Sequence, residues 1–132
     1  MLYWDMYYKQ GLKNPRLVMT IHNMDHSGEC RGEELEVTGL NAEDYMHEDK
    51  ALDERTRGHN PERLCLLKAG VVYSNVVTTV SPTYRRETLE GHGGYMGKIL
   101  EQNEDKYTGI LNGIDASVWD PENDLLLPTT YS

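Results

Sequence analysis

The stretch Val76-Val77-Thr78-Thr79-Val80-Ser81-Pro82-Thr83-Tyr84 decides the fold. Its first five residues are all β-branched, and their stiff side chains favour an extended backbone. The run shows no polar alternation, so it reads as a strand covered on both faces, as in a parallel sheet. Ser81 then offers a hydroxyl for a helix N-cap. Pro82 suits the first helical position, where its missing N–H leaves no bond unmade. A buried strand passing at once into a helix is the repeating unit of an α/β protein. That helix continues through Leu89 and stops at Gly91.

The same unit recurs on either side. Upstream, Asn60 reads as a cap and Pro61 as a first helical residue, with a helix running to about Tyr73. Leu64, Leu67 and Val71 recur at helical spacing on it and are expected to face the core. Before it, Arg16-Leu17-Val18-Met19-Thr20-Ile21 reads as another strand buried on both faces, ending in the polar pair His22-Asn23. Residues 3–10 read as the end of a helix. Gly11 stops it, and Asn14-Pro15 makes a turn. Downstream, Gly91 to Gly97 reads as a flexible connector, with a helix over Tyr95 to about Glu104. Tyr107-Thr108-Gly109-Ile110-Leu111 forms the third strand. Asn112-Gly113 is a tight-turn pair, and Trp119-Asp120-Pro121 opens another turn.

Strand, helix, strand, helix, strand predicts an α/β fold with parallel strands and right-handed connections. Three strands leave two open sheet edges, which natural proteins avoid. Residues 1–132 are therefore expected to be part of a larger domain, truncated at both ends. The aromatic opening Leu2-Tyr3-Trp4-Asp5-Met6-Tyr7-Tyr8 also reads as the inside of a domain. It has neither the basic and apolar regions of a signal peptide nor an Arg- and Ser-rich transit segment. Residues 22–60 form an acidic insertion, with most of the acidic charge over 24–60. Little apolar periodicity occurs there, so it is expected to be mostly solvated, with short helical turns.

The formal charge of −9 disfavours a nucleic-acid partner, which needs clustered Lys and Arg, and equally an anionic membrane surface. No apolar run approaches the roughly 20 residues that span a bilayer. Cys30 and Cys65 form no C-x-x-C pair and are expected to be free thiols in a reducing compartment.

Ligands of open α/β sheets bind outside the carboxyl ends of the strands. Three polar clusters fall at such ends: His22-Asn23, Ser81-Pro82-Thr83 and Asn112-Gly113-Ile114-Asp115. Topology allows them one shared rim. His22 either hydrogen-bonds a ligand hydroxyl or pins its own loop to a carbonyl. The Asn112 amide faces a ligand, or the pair Asn112-Gly113 simply turns the chain. Trp119 reads first as a packing residue and second as a sugar platform. His22 and His26 are spaced for zinc only on a helix, and they follow a strand, so no metal site is expected. There is no D-x-D pair and no Walker pattern. The glycines at 91, 93, 94 and 97 miss G-x-G-x-x-G and follow a helix rather than a strand.

Four stretches carry a family resemblance. They are Leu17-Val18-Met19-Thr20-Ile21-His22-Asn23, Leu67-Lys68-Ala69-Gly70-Val71-Val72-Tyr73-Ser74-Asn75, Val77-Thr78-Thr79-Val80-Ser81-Pro82-Thr83-Tyr84, and Gly109-Ile110-Leu111-Asn112-Gly113-Ile114-Asp115 followed by Trp119-Asp120-Pro121. In this order and spacing they resemble the starch and glycogen synthases. The segment Asp25-His26-Ser27-Gly28-Glu29-Cys30-Arg31 looks most like the soluble plastid enzymes of plants and green algae.

The resemblance implies a fragment of a Rossmann-like parallel-sheet domain, the N-terminal domain of a GT-B glycosyltransferase. It implies a retaining transfer of glucose from ADP-glucose to the non-reducing end of an α-1,4-glucan, with no metal and no cofactor beyond the donor. It implies a plastid location, with partner synthases as further contacts. By resemblance His22 and Asn112 hold the donor sugar. The family's glycine-rich K-x-G-G-L-type loop and its second domain have no counterpart here. No catalytic residue is therefore expected within 1–132, the chain alone is expected to be inactive, and 119–132 is expected to lead toward the second domain. The rival readings are a non-catalytic glucan- or partner-binding module and another GT-B enzyme, such as a sucrose synthase or phosphorylase relative.

Overall fold

The computed structural model describes residues 1–131. A parallel sheet of β1 (Val18–Ile21), β4 (Val76–Thr79) and β5 (Tyr107–Gly109) runs in the order β1-β4-β5. The register pairs Ile21 with Thr79 and Thr79 with Gly109. A smaller antiparallel pair joins β2 (Glu29–Arg31) to β3 (Arg63–Cys65). Four α-helices, α1 (Gly32–Glu36), α2 (Leu66–Tyr73), α3 (Pro82–Glu87) and α4 (Gly97–Glu101), fall between β2 and β5, with short 3-10 and π turns around them. The predicted α/β class and parallel sheet are both present.

β4 is the central strand, and Val77, Thr78 and Thr79 are buried as expected. Thr79 Oγ1 donates to the Ile21 carbonyl at 2.8 Å, so its buried hydroxyl ties β4 to β1. β1 departs from expectation. It is an edge strand, with Ile21 buried but Val18 61% exposed, because only β4 flanks it among the described residues. The third strand is shorter than expected and ends at Gly109. A Cβ there would meet the Ser81 carbonyl oxygen at 2.2 Å, so only glycine lets β5 pass the start of α3 this closely.

Ser81 caps α3 as its sequence announces: Oγ accepts from the Tyr84 N–H at 2.9 Å, with Pro82 at the first helical position. Ser81→Ala is expected to cost about 1 kcal/mol, read as a lower denaturation midpoint, because the Tyr84 donor is left without its cap.

The helix expected from Asn60 begins later. Residues 63–65 are the strand β3, and Cys65 caps α2, its sulfur accepting from the Lys68 N–H at 3.4 Å. The apolar spacing that suggested helix is satisfied another way: Leu64 points into the core from a strand, and Leu67 and Val71 from the helix behind it. A periodicity of three or four residues cannot locate the junction of a short strand and a helix when both bury apolar side chains, here Leu64 in one cluster and Leu67 and Val71 in another.

The insertion is mostly exposed and built of short helical turns, as expected, but it also holds a core that its sequence did not show. It carries β2, α1 and a second hydrophobic cluster of Leu35, Leu40, Ala42, Tyr45 and Ala51, closed by Leu64 and Ala69. The N-terminal turn Tyr3–Tyr7 docks on it, with Trp4 Nε1 donating to the Tyr73 carbonyl at 3.0 Å and Tyr45 hydrogen-bonded to Asp5. Its apolar residues are spread through irregular turns, so no period exposes them in sequence. Gly91–Gly97 is likewise a packed corner rather than a loose connector: Gly93 and Met96 are buried, and Gly91 turns the chain at φ +112.

Candidate functional site

Because β1, β4 and β5 are parallel, their carboxyl ends share one edge. His22 directly follows β1, Ser81 lies just past β4, and Asn112 lies just past β5. β1 and β5 lie two strand spacings apart, roughly 10 Å, and Asn112 stands three residues beyond the end of β5. Both are exposed on the open rim. Ser81 is committed to its cap, which removes it as a free ligand group. Asp115 is occupied as well: its Oδ1 accepts from the Ser117 N–H at 2.9 Å and from the Ser117 hydroxyl at 2.6 Å, and these bonds hold its carboxyl below the usual carboxylate range. The rim thus presents His22 and Asn112 at its two flanks, with Asn23 and Thr83 also exposed.

The segment past β5 differs from the sequence reading. Residues 111–115 have no regular secondary structure, and the turn falls at 116–118 instead of Asn112-Gly113. Trp119 is 72% exposed and does not pack into the core. Ile110, Leu111, Ile114, Leu125 and Leu126 are exposed with it. Ser132, the last residue of the expected approach to a second domain, lies outside the described residues.

Sequence patterns did not reveal what fixes the loop behind His22. Arg55, from the acidic insertion, grips Asp53 with both arms, Nε to Oδ1 at 2.9 Å and Nη2 to Oδ2 at 2.7 Å. The same Nη2 reaches Ser27 Oγ at 3.0 Å and Glu29 Oε1 at 2.7 Å. Its guanidinium lies 4.0 Å from the centre of the Tyr95 ring. Tyr95 Oη in turn donates to the Met24 carbonyl at 2.7 Å. Apart from Arg55–Asp53, two positions apart, these contacts cross 26 to 71 positions of sequence, so spacing could not signal them.

Burial pushes the Asp53 carboxyl up, but the bonds from Arg55 and the nearby Lys68 charge outweigh it and hold the group below its ordinary value. A carboxyl lowered on folding stabilises the native state at neutral pH. That contribution is lost as pH falls from about 4 through the depressed folded value. Asp53→Asn is therefore expected to cost about 1–2 kcal/mol at pH 7, discounted because Arg55 is 40% exposed, and progressively less toward pH 3. Urea midpoints measured across that range check it.

Among the described residues no group of three or more His, Cys, Asp or Glu is placed to hold a metal, and His22 and His26 are both exposed. No helix of the described residues is long and apolar enough to cross a membrane. Both cysteines are free, and Cys65 is buried.

Comparison with known proteins decides the family. The sequence profile described as the starch synthase catalytic domain matches residues 1–102. The chain belongs to this family. A glycogen synthase of Protochlamydia amoebophila is 43% identical over 134 residues, covering 99% of this chain and 26% of that protein. A probable starch synthase 4 of Arabidopsis thaliana, described as chloroplastic/amyloplastic, is 35% identical over 99% of this chain and 12% of its own length. The solved catalytic domain of starch synthase IV from Arabidopsis thaliana, bound to ADP and acarbose, superposes with a TM-score of 0.83 at 35% identity. It covers 98% of this chain and 26% of that one. The parallel sheet and its rim are thus the Rossmann-like part of a starch or glycogen synthase catalytic domain. The chain spans about a quarter of the length of the bacterial relatives it matches, such as those at 26%. Its relatives include both bacterial and plastid proteins.

Proposed function

We propose that residues 1–132 supply one wall of the cleft of a retaining glucosyltransferase. The complete polypeptide transfers glucose from ADP-glucose to the non-reducing end of an α-1,4-glucan. The observation that carries this reading is the shared carboxyl rim of β1, β4 and β5, with His22 and Asn112 facing solvent on a chain of the starch synthase family. His22 and Asn112 hydrogen-bond hydroxyls of the donor glucose. An imidazole and a carboxamide can each donate and accept, which suits a sugar hydroxyl that does both. The starch synthase IV structure holds ADP and acarbose, a nucleotide and an oligosaccharide, which supports this substrate class. The transfer needs positive charge near the leaving diphosphate. Among the described residues the strand-end clusters 22–23, 81–83 and 112–115 hold no Lys or Arg, so those groups come from the other wall. No cofactor beyond the donor is required.

A plastid is the proposed location, supported by the Arabidopsis relative and by the resemblance of Asp25–Arg31 to plastid enzymes. Partner synthases are proposed as further contacts there. Cell fractionation tests the location.

The deciding experiment supplies radiolabelled ADP-glucose and glycogen to the complete polypeptide that carries this sequence. Incorporation that an α-1,4-specific hydrolase releases is the expected result. Glucan binding without incorporation would replace this reading by the non-catalytic module. Incorporation from UDP-glucose alone would move the protein to another GT-B activity.

A further inference from the structure

The short loop after His22 joins β1 to β2 and sets where the imidazole sits. It is fastened from outside at two points. Met24 is buried in the main core, and its carbonyl accepts from Tyr95 Oη at 2.7 Å. Ser27 is buried too: its Oγ meets Arg55 Nη2 at 3.0 Å, and its carbonyl accepts from the Leu67 N–H at 2.9 Å. One guanidinium serves both points, since Arg55 also stacks on the Tyr95 ring. Arg55 is itself fixed by the buried Asp53 and by Glu29. A continuous line of contacts therefore runs from the acidic insertion through Arg55 and Tyr95 to the carbonyl two residues past His22. A core needs no such fork. Met24 would stay buried without it, but its carbonyl, and with it the direction in which the chain leaves β1, would be free to shift.

We infer that Tyr95 and Arg55 are positioning residues for transfer, and that they hold the His22 loop so that the imidazole meets the donor sugar. The inference rests on the role given to His22 above. Small displacements of a positioning group are costly in rate, because the transition state tolerates little misplacement. Tyr95→Phe removes one hydroxyl and keeps the ring under Arg55. Arg55→Lys keeps the charge but loses the fork and the stack.

The test is a double-mutant cycle in the complete polypeptide, with initial rates of glucose transfer from ADP-glucose to glycogen per folded molecule. Tyr95→Phe is expected to lower kcat about fivefold, the worth of one hydrogen bond of ordinary strength, and Arg55→Lys at least as much. In a His22→Ala background the same substitutions should change kcat less than about 1.5-fold, since there is no imidazole left to position. A purely structural role gives another result: an equal penalty in both backgrounds, with a lower Tm. That result overturns the inference, as does normal kcat for both single variants, and in either case His22 keeps its role. If His22→Ala alone leaves kcat unchanged, the donor-sugar role fails and this inference falls with it.

Discussion

His22→Ala in the complete polypeptide is expected to reduce glucose transfer from ADP-glucose by about 10- to 100-fold, the loss of one or two hydrogen bonds that strengthen in the transition state. The same change is expected to leave folding almost untouched. His22 is exposed at the end of β1, so truncating it makes no cavity. Surface substitutions of this kind fall within about 0.5 kcal/mol. The loop behind it is held by other groups: Asn23 Oδ1 accepts from the Asp25 N–H at 3.2 Å, and Tyr95 holds Met24. Transfer assays beside thermal melts separate the two effects. Near-normal turnover at an unchanged Tm would remove His22 from the donor site. A large drop in both would show that the imidazole serves the fold, the other reading its position allows.

Gly109→Ala should produce the largest loss of stability from a single added methyl group. A Cβ at this position lies 2.2 Å from the Ser81 carbonyl oxygen, 2.4 Å from its carbon and 2.5 Å from the Pro82 nitrogen. All three are backbone atoms at the β4–α3 junction, so no side chain can rotate away. Either β5 leaves its register with β4 or the start of α3 shifts. The first loses the Thr79–Gly109 pairing, and the second loses the Ser81 cap. A cost of about 3 kcal/mol or more is expected, above the usual range for overpacking because the obstacle is rigid. Gly97→Ala is the control. Its Cβ has nothing within 4 Å and its backbone is already helical, so α4 should gain about 0.5–1 kcal/mol. Urea midpoints of the two variants should move in opposite directions. A shift of similar size and sign in both would show that the Ser81 junction yields more easily than its geometry implies.

Since Gly109 also sets how close β5 runs to the Ser81 turn, its replacement should displace Asn112 on the rim. The two predictions therefore meet at one place. His22→Ala acts on the rim's chemistry and spares the sheet, whereas Gly109→Ala acts on the sheet and reaches the rim through it.

Local chemistry wrote part of this structure into the sequence. Val76–Val80 reads as a strand because every side chain there is β-branched, and Val77–Thr79 are buried as that reading requires, while Val76 is exposed. Ser81-Pro82 fixed the start of α3, since a cap and a first-turn proline act over three residues. The run before His22, followed by two more strands in helix-separated order, was enough to place His22 and Asn112 at one edge, as parallel strands end together. What the tertiary structure alone decided lies at longer range. Residues 63–65 became a strand because Glu29–Arg31 stands beside them as an antiparallel partner. The acidic insertion became a packed layer because Leu35, Leu40, Ala42, Tyr45 and Ala51, scattered through turns, meet over Leu64 and Ala69. Trp119 stayed outside because no core of residues 1–131 reaches it. The grip of Arg55 and Tyr95 on the His22 loop joins segments up to 71 positions apart. Capping and strand-forming preferences act between neighbours and survive in any chain read in order. Partners of a side chain across the fold exist only once the chain has closed.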